Sequence, residues 1–187
     1  MIIKEQYMKG VYLIQLEQIR DNRGFFTRIF DDKTFEENGI PTKWVQENHS
    51  FTKYKNTIRG LHFQLPPHSE TKLIRVVNGE ICDVFLDLRK NSLTFGMWNT
   101  IILTSENNKM LALPKGFAHG YITLTDNCDV LYKVDNYYNP HKESGINWNN
   151  QKLHLPVLRD QSLIISEKDS KLQTFKEFVD KYGAIEV

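Results

Sequence analysis

Leu73-Ile74-Arg75-Val76-Val77-Asn78-Gly79-Glu80-Ile81-Cys82-Asp83-Val84-Phe85-Leu86-Asp87-Leu88 places two apolar, β-branched runs on either side of an Asn-Gly pair. Both residues of that pair tolerate positive φ, which a two-residue hairpin turn requires, so the stretch predicts two strands joined as a β-hairpin. The same rhythm continues outward, from Val11 to about Val134, as short β-branched and aromatic runs between turn residues. It predicts further strands over residues 25–30, 43–48, 57–64, 100–104, 110–113, 119–124 and 130–135. The class implied is an all-β barrel or sandwich. Two segments read as helices instead. Residues 31–39 begin with acidic side chains and end at Gly39. Near the C-terminus, Ser170 is a candidate cap for a helix whose stripe is Leu172, Phe175, Phe178, Val179 and Tyr182, stopped by Gly183 and expected to pack on the barrel.

The chain has 187 residues, 40% hydrophobic and 25% charged, which suits one domain over residues 1–187. Twenty-four Lys+Arg against 23 Asp+Glu leaves a net charge of +1, so neither nucleic acid nor a membrane is the expected partner. An anionic ligand must then be held by a local cluster. Cys82 and Cys128 are far apart and form no metal or disulfide spacing, and the N-terminus lacks the apolar core of a signal peptide. A cytoplasmic protein is the expectation.

Six histidines occur (His49, His62, His68, His119, His141 and His154), none in an HxH or HExxH arrangement. Pro114-Lys115-Gly116-Phe117-Ala118-His119-Gly120 resembles the second signature of the cupin superfamily, PxGxxH. The strand matching its first signature, Arg59-Gly60-Leu61-His62-Phe63-Gln64, has a single histidine, which implies a jelly-roll barrel without a metal. Nucleophile elbow, P-loop and dinucleotide glycine patterns are missing, which leaves acid–base chemistry by a His near a carboxylate and an opposing Tyr. Strand parity puts Tyr132 on the face of Val130 and Val134, toward the interior. The same parity separates His62 from Arg59, Leu61 and Phe63, so Arg59 and His62 share a pocket only if the strand is irregular at Gly60.

Across nearly the whole chain the sequence closely resembles the dTDP-4-dehydrorhamnose 3,5-epimerase family. The matching segments are Arg23-Gly24-Phe25-Phe26, Val45-Gln46-Glu47-Asn48-His49-Ser50, the Arg59–Gln64 segment, Thr71-Lys72-Leu73-Ile74-Arg75-Val76, Ser92-Leu93-Thr94-Phe95-Gly96, the Pro114–Gly120 segment, Leu131-Tyr132-Lys133, Tyr137-Tyr138 and Ser166-Glu167-Lys168-Asp169. Each is weak alone; in this order they are specific. The resemblance implies a double-stranded β-helix jelly roll, cupin-like, with short flanking helices, in a homodimer that shares strands. It also implies an epimerase of nucleotide-diphosphate 4-keto sugars that uses no cofactor and no metal, in rhamnose biosynthesis for cell-surface polysaccharide.

By position, the resemblance makes His62 the base, Asp169 its carboxylate partner, Tyr132 the opposing acid and Lys72 the group near the enolate oxygen. Arg23 and Arg59 match diphosphate-binding positions, and Tyr138 matches the aromatic that stacks on the nucleobase. Phe26, Gln46, Asn48, His119, Glu143 and Lys168 match other ligand contacts. Without that context, Arg23, Arg59 and Lys72 read as solvated charges, Tyr132 as barrel core and Asp169 as a helix N-terminal carboxylate. Arg28 stands where the rhamnose-pathway enzymes commonly carry Glu, a charge reversal that bears on the substrate. Three other readings compete: an epimerase acting at carbon 3 or carbon 5 alone, a metal-dependent cupin using His62, His119 and a carboxylate such as Glu70, and a non-catalytic sugar-nucleotide-binding jelly roll.

Overall fold

The structure, a computed structural model, describes residues 1–150 and 162–187. Its strands are β1 (Ile2–Glu5), β2 (Tyr12–Gln15), β3 (Gln18–Asp21), β4 (Gly24–Thr27), β5 (Gln46–Thr52), β6 (Thr57–Gln64), β7 (Lys72–Asn78) and β8 (Glu80–Asp87), continuing with β9 (Trp98–Thr104), β10 (Lys109–Leu113), β11 (Phe117–Thr123), β12 (Cys128–Val134), β13 (Glu143–Gly145) and β14 (Ile164–Ile165). Among the described residues the α-helices are α1 (Asp32–Glu37), α2 (Glu167–Ser170) and α3 (Phe175–Tyr182). One sheet has the order β1-β2-β10-β7-β12-β5 and the other β13-β6-β11-β8-β9, with β14 alongside β6. The two sheets face each other as a jelly roll. β3 and β4 form a separate two-stranded ribbon.

Strand alternation sorts the apolar residues into layers. Ile74, Val76, Leu111, Val130, Ile81, Phe85 and Leu103 pack between the sheets. Cys82, Val84 and Leu86, one position over on β8, face outward with Phe178 and Val179 of α3. Leu73 and Met110 face outward from the other sheet, against Phe35 and Ile40 around α1.

The segment first read as a hairpin is a crossover. β7 pairs with β10 and β12, whereas β8 pairs with β11 and β9, so the two strands lie in different sheets. The reason is that both runs carry apolar residues on both faces, and such strands need neighbours on both edges and cover on both sides. Gly79, at φ +80°, is the corner, and a Cβ there would come within 2.7 Å of Cys128 Sγ.

Local capping corrects the C-terminal helix. Ser166 caps α2, accepting from Asp169 N–H, and Thr174 caps α3 in a reciprocal box with Glu177. Ser170 is therefore the last residue of the first helix, and Leu172 lies between the two; Gly183 ends α3 as expected. Asp31 caps α1 by accepting from Thr34 N–H. The strand expected over 25–30 ends at Thr27, and that expected over 43–48 begins at Gln46 and runs to Thr52. The two-to-four-residue strands β1, β2, β3, β13 and β14 are too short for periodicity to reveal.

β6 contains the irregularity on which a shared pocket for Arg59 and His62 depended. His62 pairs with His119 and Arg59 with Tyr121, so three steps along β6 oppose two along β11. The extra residue falls at Gly60, at φ +109°, where a Cβ would sit 2.8 Å from both Gly120 Cα and His119 O. Beyond the bulge Leu61 and Phe63 face the outer core, and His62 joins Arg59 on the inner face.

Candidate active site

Between the sheets lies a cavity of about 400 Å³ lined from both walls. β6, β11 and β13 contribute Arg59, His62, Gln64, His119 and Glu143; β5, β7 and β12 contribute Gln46, Asn48, Lys72 and Tyr132. Lys168 and Asp169 enter from α2. His62 Nε2 is 2.8 Å from Asp169 Oδ1, and Gly60 N–H donates to Asp169 Oδ2 at 3.0 Å. With Nε2–H donated to the carboxylate, Nδ1 is the ring nitrogen left to take a proton. Burial pushes the Asp169 carboxyl up, but the His62 and Gly60 hydrogen bonds outweigh it, and its pKa falls below the usual carboxylate range. Asp169 is thus held as a carboxylate, suited to support an imidazolium.

Tyr132 stands on the opposite sheet from His62. Burial, then the negative charge of Glu70, raise its hydroxyl pKa and keep it a proton donor. Lys72 Nζ lies 5.9 Å from the Tyr132 ring centre and is paired with Glu70, which also accepts from Gln64 Nε2 at 2.8 Å. An imidazole on one wall and a phenol held as a proton donor on the other, with the Lys72 side chain beside the phenol, can remove a proton from one face of a ligand and return one to the other.

The rim is wired together. Tyr138 O–H and Lys168 Nζ both donate to Glu143 Oε2, at 2.9 and 2.8 Å, and Gln46 Oε1 accepts from Tyr138 N–H at 2.7 Å. Arg59 donates through Nε to Thr52 Oγ1 and through Nη2 to Phe51 O. Tyr121 O–H lies within hydrogen-bond distance of Ser50 Oγ and Thr52 Oγ1, buttressing the same corner.

Arg23 and Phe26 stand apart. They belong to the β3–β4 ribbon, do not line the cavity, and are exposed, with Arg23 paired to Asp21. The structure also adds residues that sequence reasoning passed over. Glu70, weighed only as a metal ligand, instead pairs with Lys72 two positions on. Asp83 is fully buried and bonded to His119, with Nε2 to Oδ2 at 2.9 Å. A carboxylate at the inward parity of Ile81 and Phe85 was the signal available for it. His49 pairs with Asp129, His68 contacts Asn139, His141 is exposed, and His154 lies outside the described residues. Among the described residues no three His, Cys, Asp or Glu side chains converge as a metal-ligand set. His62, His119 and Glu70 are each engaged by an Asp or a Lys.

The family model for dTDP-4-dehydrorhamnose 3,5-epimerase matches residues 5–177. The chain belongs to that family. It is 39% identical over 173 residues to the dTDP-4-dehydrorhamnose 3,5-epimerase of Escherichia coli K12, covering 92% of this chain and 93% of that protein. Among solved structures, the dTDP-4-dehydrorhamnose 3,5-epimerase of Bacillus anthracis with TDP and PPi bound superposes with a TM-score of 0.88 at 42% identity, over 92% of this chain and 98% of that one. The dTDP-6-deoxy-D-glucose-3,5-epimerase of Legionella pneumophila in complex with dTDP-4-keto-L-rhamnose superposes with a TM-score of 0.85 at 35% identity, over 92% of each chain. The fold is the cupin-like jelly roll of these epimerases. Among the described residues no helix is long and apolar enough to cross a membrane.

Proposed function

We propose that the protein is a cofactor-independent 3,5-epimerase of a dTDP-4-keto-6-deoxyhexose, forming the rhamnose precursor in the cytoplasm. The observation that carries this reading is the His62–Asp169 pair on one wall of a cavity whose other wall holds Tyr132. A ketone at carbon 4 acidifies the protons on carbons 3 and 5, so each inversion needs a base, a place for enolate charge and an acid on the opposite face. His62 Nδ1 takes the proton, Asp169 supports the resulting imidazolium, Lys72 faces the developing enolate oxygen, and Tyr132 delivers a proton from the far side. Arg59 and Lys168 are the cavity's cations for the diphosphate, and Tyr138, on the exposed rim, is the platform for the base.

The working unit in this reading is a homodimer in which each β3–β4 ribbon reaches into the other copy's cavity. Its support is the ribbon itself, which exposes Ile19, Phe25 and Phe26 beside Arg23 and pairs with neither main sheet. Arg28 sits at the ribbon's base against Asp31, so the charge reversal falls next to the elements assigned to the nucleotide.

The experiment is incubation with dTDP-4-keto-6-deoxyglucose in deuterium oxide, followed by NMR at carbons 3 and 5. Deuterium at both positions is expected. Incorporation at one identifies a single-position epimerase, and none at either overturns the assignment.

A further inference from the structure

His62 and His119 occupy directly paired positions on β6 and β11, and each has an Asp behind Nε2. The two pairs share a composition but not an environment. Asp169 receives a donor on each oxygen, His62 on Oδ1 and Gly60 N–H on Oδ2. Among the described residues Asp83 receives only one: Oδ2 meets His119, while Oδ1 is buried and has no hydrogen-bond partner. Asp83 is completely buried on the inner face of β8, directly opposite Tyr121 on β11 and Ile101 on β9. The titratable groups around it are Cys82 beside it on β8, Tyr121 opposite it on β11 with Arg59 one strand further on β6, and His119; Arg59 donates to Thr52 and Phe51, and His119 alone of these is hydrogen-bonded to Asp83.

A buried carboxylate with one bare oxygen is costly as an anion, and the cost is relieved by retaining a proton on the pair. We propose that Asp83 is a positioning residue that keeps one more proton on its histidine pair than Asp169 keeps on His62, so that His119 presents Nδ1–H to the ligand as a hydrogen-bond donor. The proton has two places to reside: on Asp83 Oδ2, or on the imidazole as an imidazolium. In both, Nε2 is committed to Asp83 and Nδ1 carries hydrogen. Burial raises the Asp83 carboxyl, with His119 pulling it back in part, which is the reverse of the net direction at Asp169. Paired groups whose environments push them apart divide acid from base roles in one site. His62 is left with a bare Nδ1 for abstraction, and His119 offers a donor to a ligand oxygen that gains negative charge, the class to which an enolate oxygen belongs.

The inference rests on the epimerase reading for the identity of that oxygen, but its first test does not. Imidazole nitrogen-15 NMR of the intact ligand-free protein at neutral pH, with signals assigned through His62→Gln and His119→Gln, is expected to show a protonated Nδ1 for His119 and a bare Nδ1 for His62. A bare Nδ1 on His119 overturns the proposal, whether or not deuterium enters carbons 3 and 5. The second test is Asp83→Ala, which removes the group that holds Nε2, so that no side chain on β8 fixes which ring nitrogen of His119 carries hydrogen. The expected result is a fall in kcat of about 100-fold with KM nearly unchanged, the pattern of a donor that acts on transition-state charge. Full kcat in a folded Asp83→Ala protein overturns it as well.

Discussion

In the proposed mechanism His62 and Tyr132 divide one proton transfer between two walls, so their variants are expected to fail in different ways. His62→Ala removes the base and is expected to lower kcat by about 10³-fold or more while KM holds, because the lost interaction belongs to the transition state. Steady-state kinetics check it, and retained turnover refutes the role. Tyr132→Phe leaves abstraction intact and removes the returning acid, so solvent deuterium should wash in faster than net inversion proceeds; loss of both together would contradict the division. Asp169 adds a pH signature. Its folded-state pKa is lowered, so its contribution to stability is complete above the ordinary carboxylate value of about 4 and is lost as pH falls through the lower folded value. Asp169→Asn should therefore unfold at lower urea than the parent at neutral pH, with the gap closing as pH falls below the ordinary carboxylate value. A gap that stays constant over that fall would mean the pair stores no such energy. Asp169 illustrates what a sequence conceals, since it lies 107 residues from His62 and only the family resemblance joined them. Asp83 is hidden differently: it stands in the run that becomes β8, where apolar residues fill both faces, so alternation alone does not say which face is the inner one.

At the scale of elements, strand identity was far more legible than strand partnership. The runs over 73–77 and 80–88 are strands as read, yet the Asn-Gly between them turns a corner between sheets, because turn chemistry reports the local backbone and not which edge the next strand joins. The β6 bulge is the opposite case. A parity conflict between Arg59 and His62, next to a glycine, left two outcomes, an irregular strand or one of the two on the surface, and the register shows the irregular strand. Gly60→Ala tests how much the site depends on it. The positive φ and the 2.8 Å approach to Gly120 Cα leave no room for a methyl group, so the strand must shift, and with it Arg59, His62 and the N–H that binds Asp169. The expectation is a loss of stability of about 1–3 kcal/mol and a fall in kcat of about 100-fold from misplaced groups. Thermal unfolding and kinetics on the folded fraction separate the two; a variant that keeps full kcat would show that the bulge does not position the base.

At the scale of the whole molecule, one copy of the chain holds only part of its expected site. Arg23 and Phe26 were read as ligand contacts, but within a single chain they sit on an exposed ribbon away from His62. Apolar side chains at the edge of an exposed ribbon are costly in water, and in the proposed dimer their burial against a second copy would remove that cost and deliver Arg23 to a cavity. The arrangement has a consequence that a monomer cannot imitate. Arg23→Ala spoils the ribbon and His62→Ala spoils the cavity, so each variant alone is expected to be nearly inactive. Unfolded together in equal amounts and refolded, they should regain activity, because in a mixed dimer the cavity of the first variant meets the intact ribbon of the second. Random pairing makes half of the dimers mixed, each with one whole site and one doubly spoiled, so activity should approach about one quarter of the parent's. If each chain used its own ribbon, mixing would add nothing to the sum of the two variants.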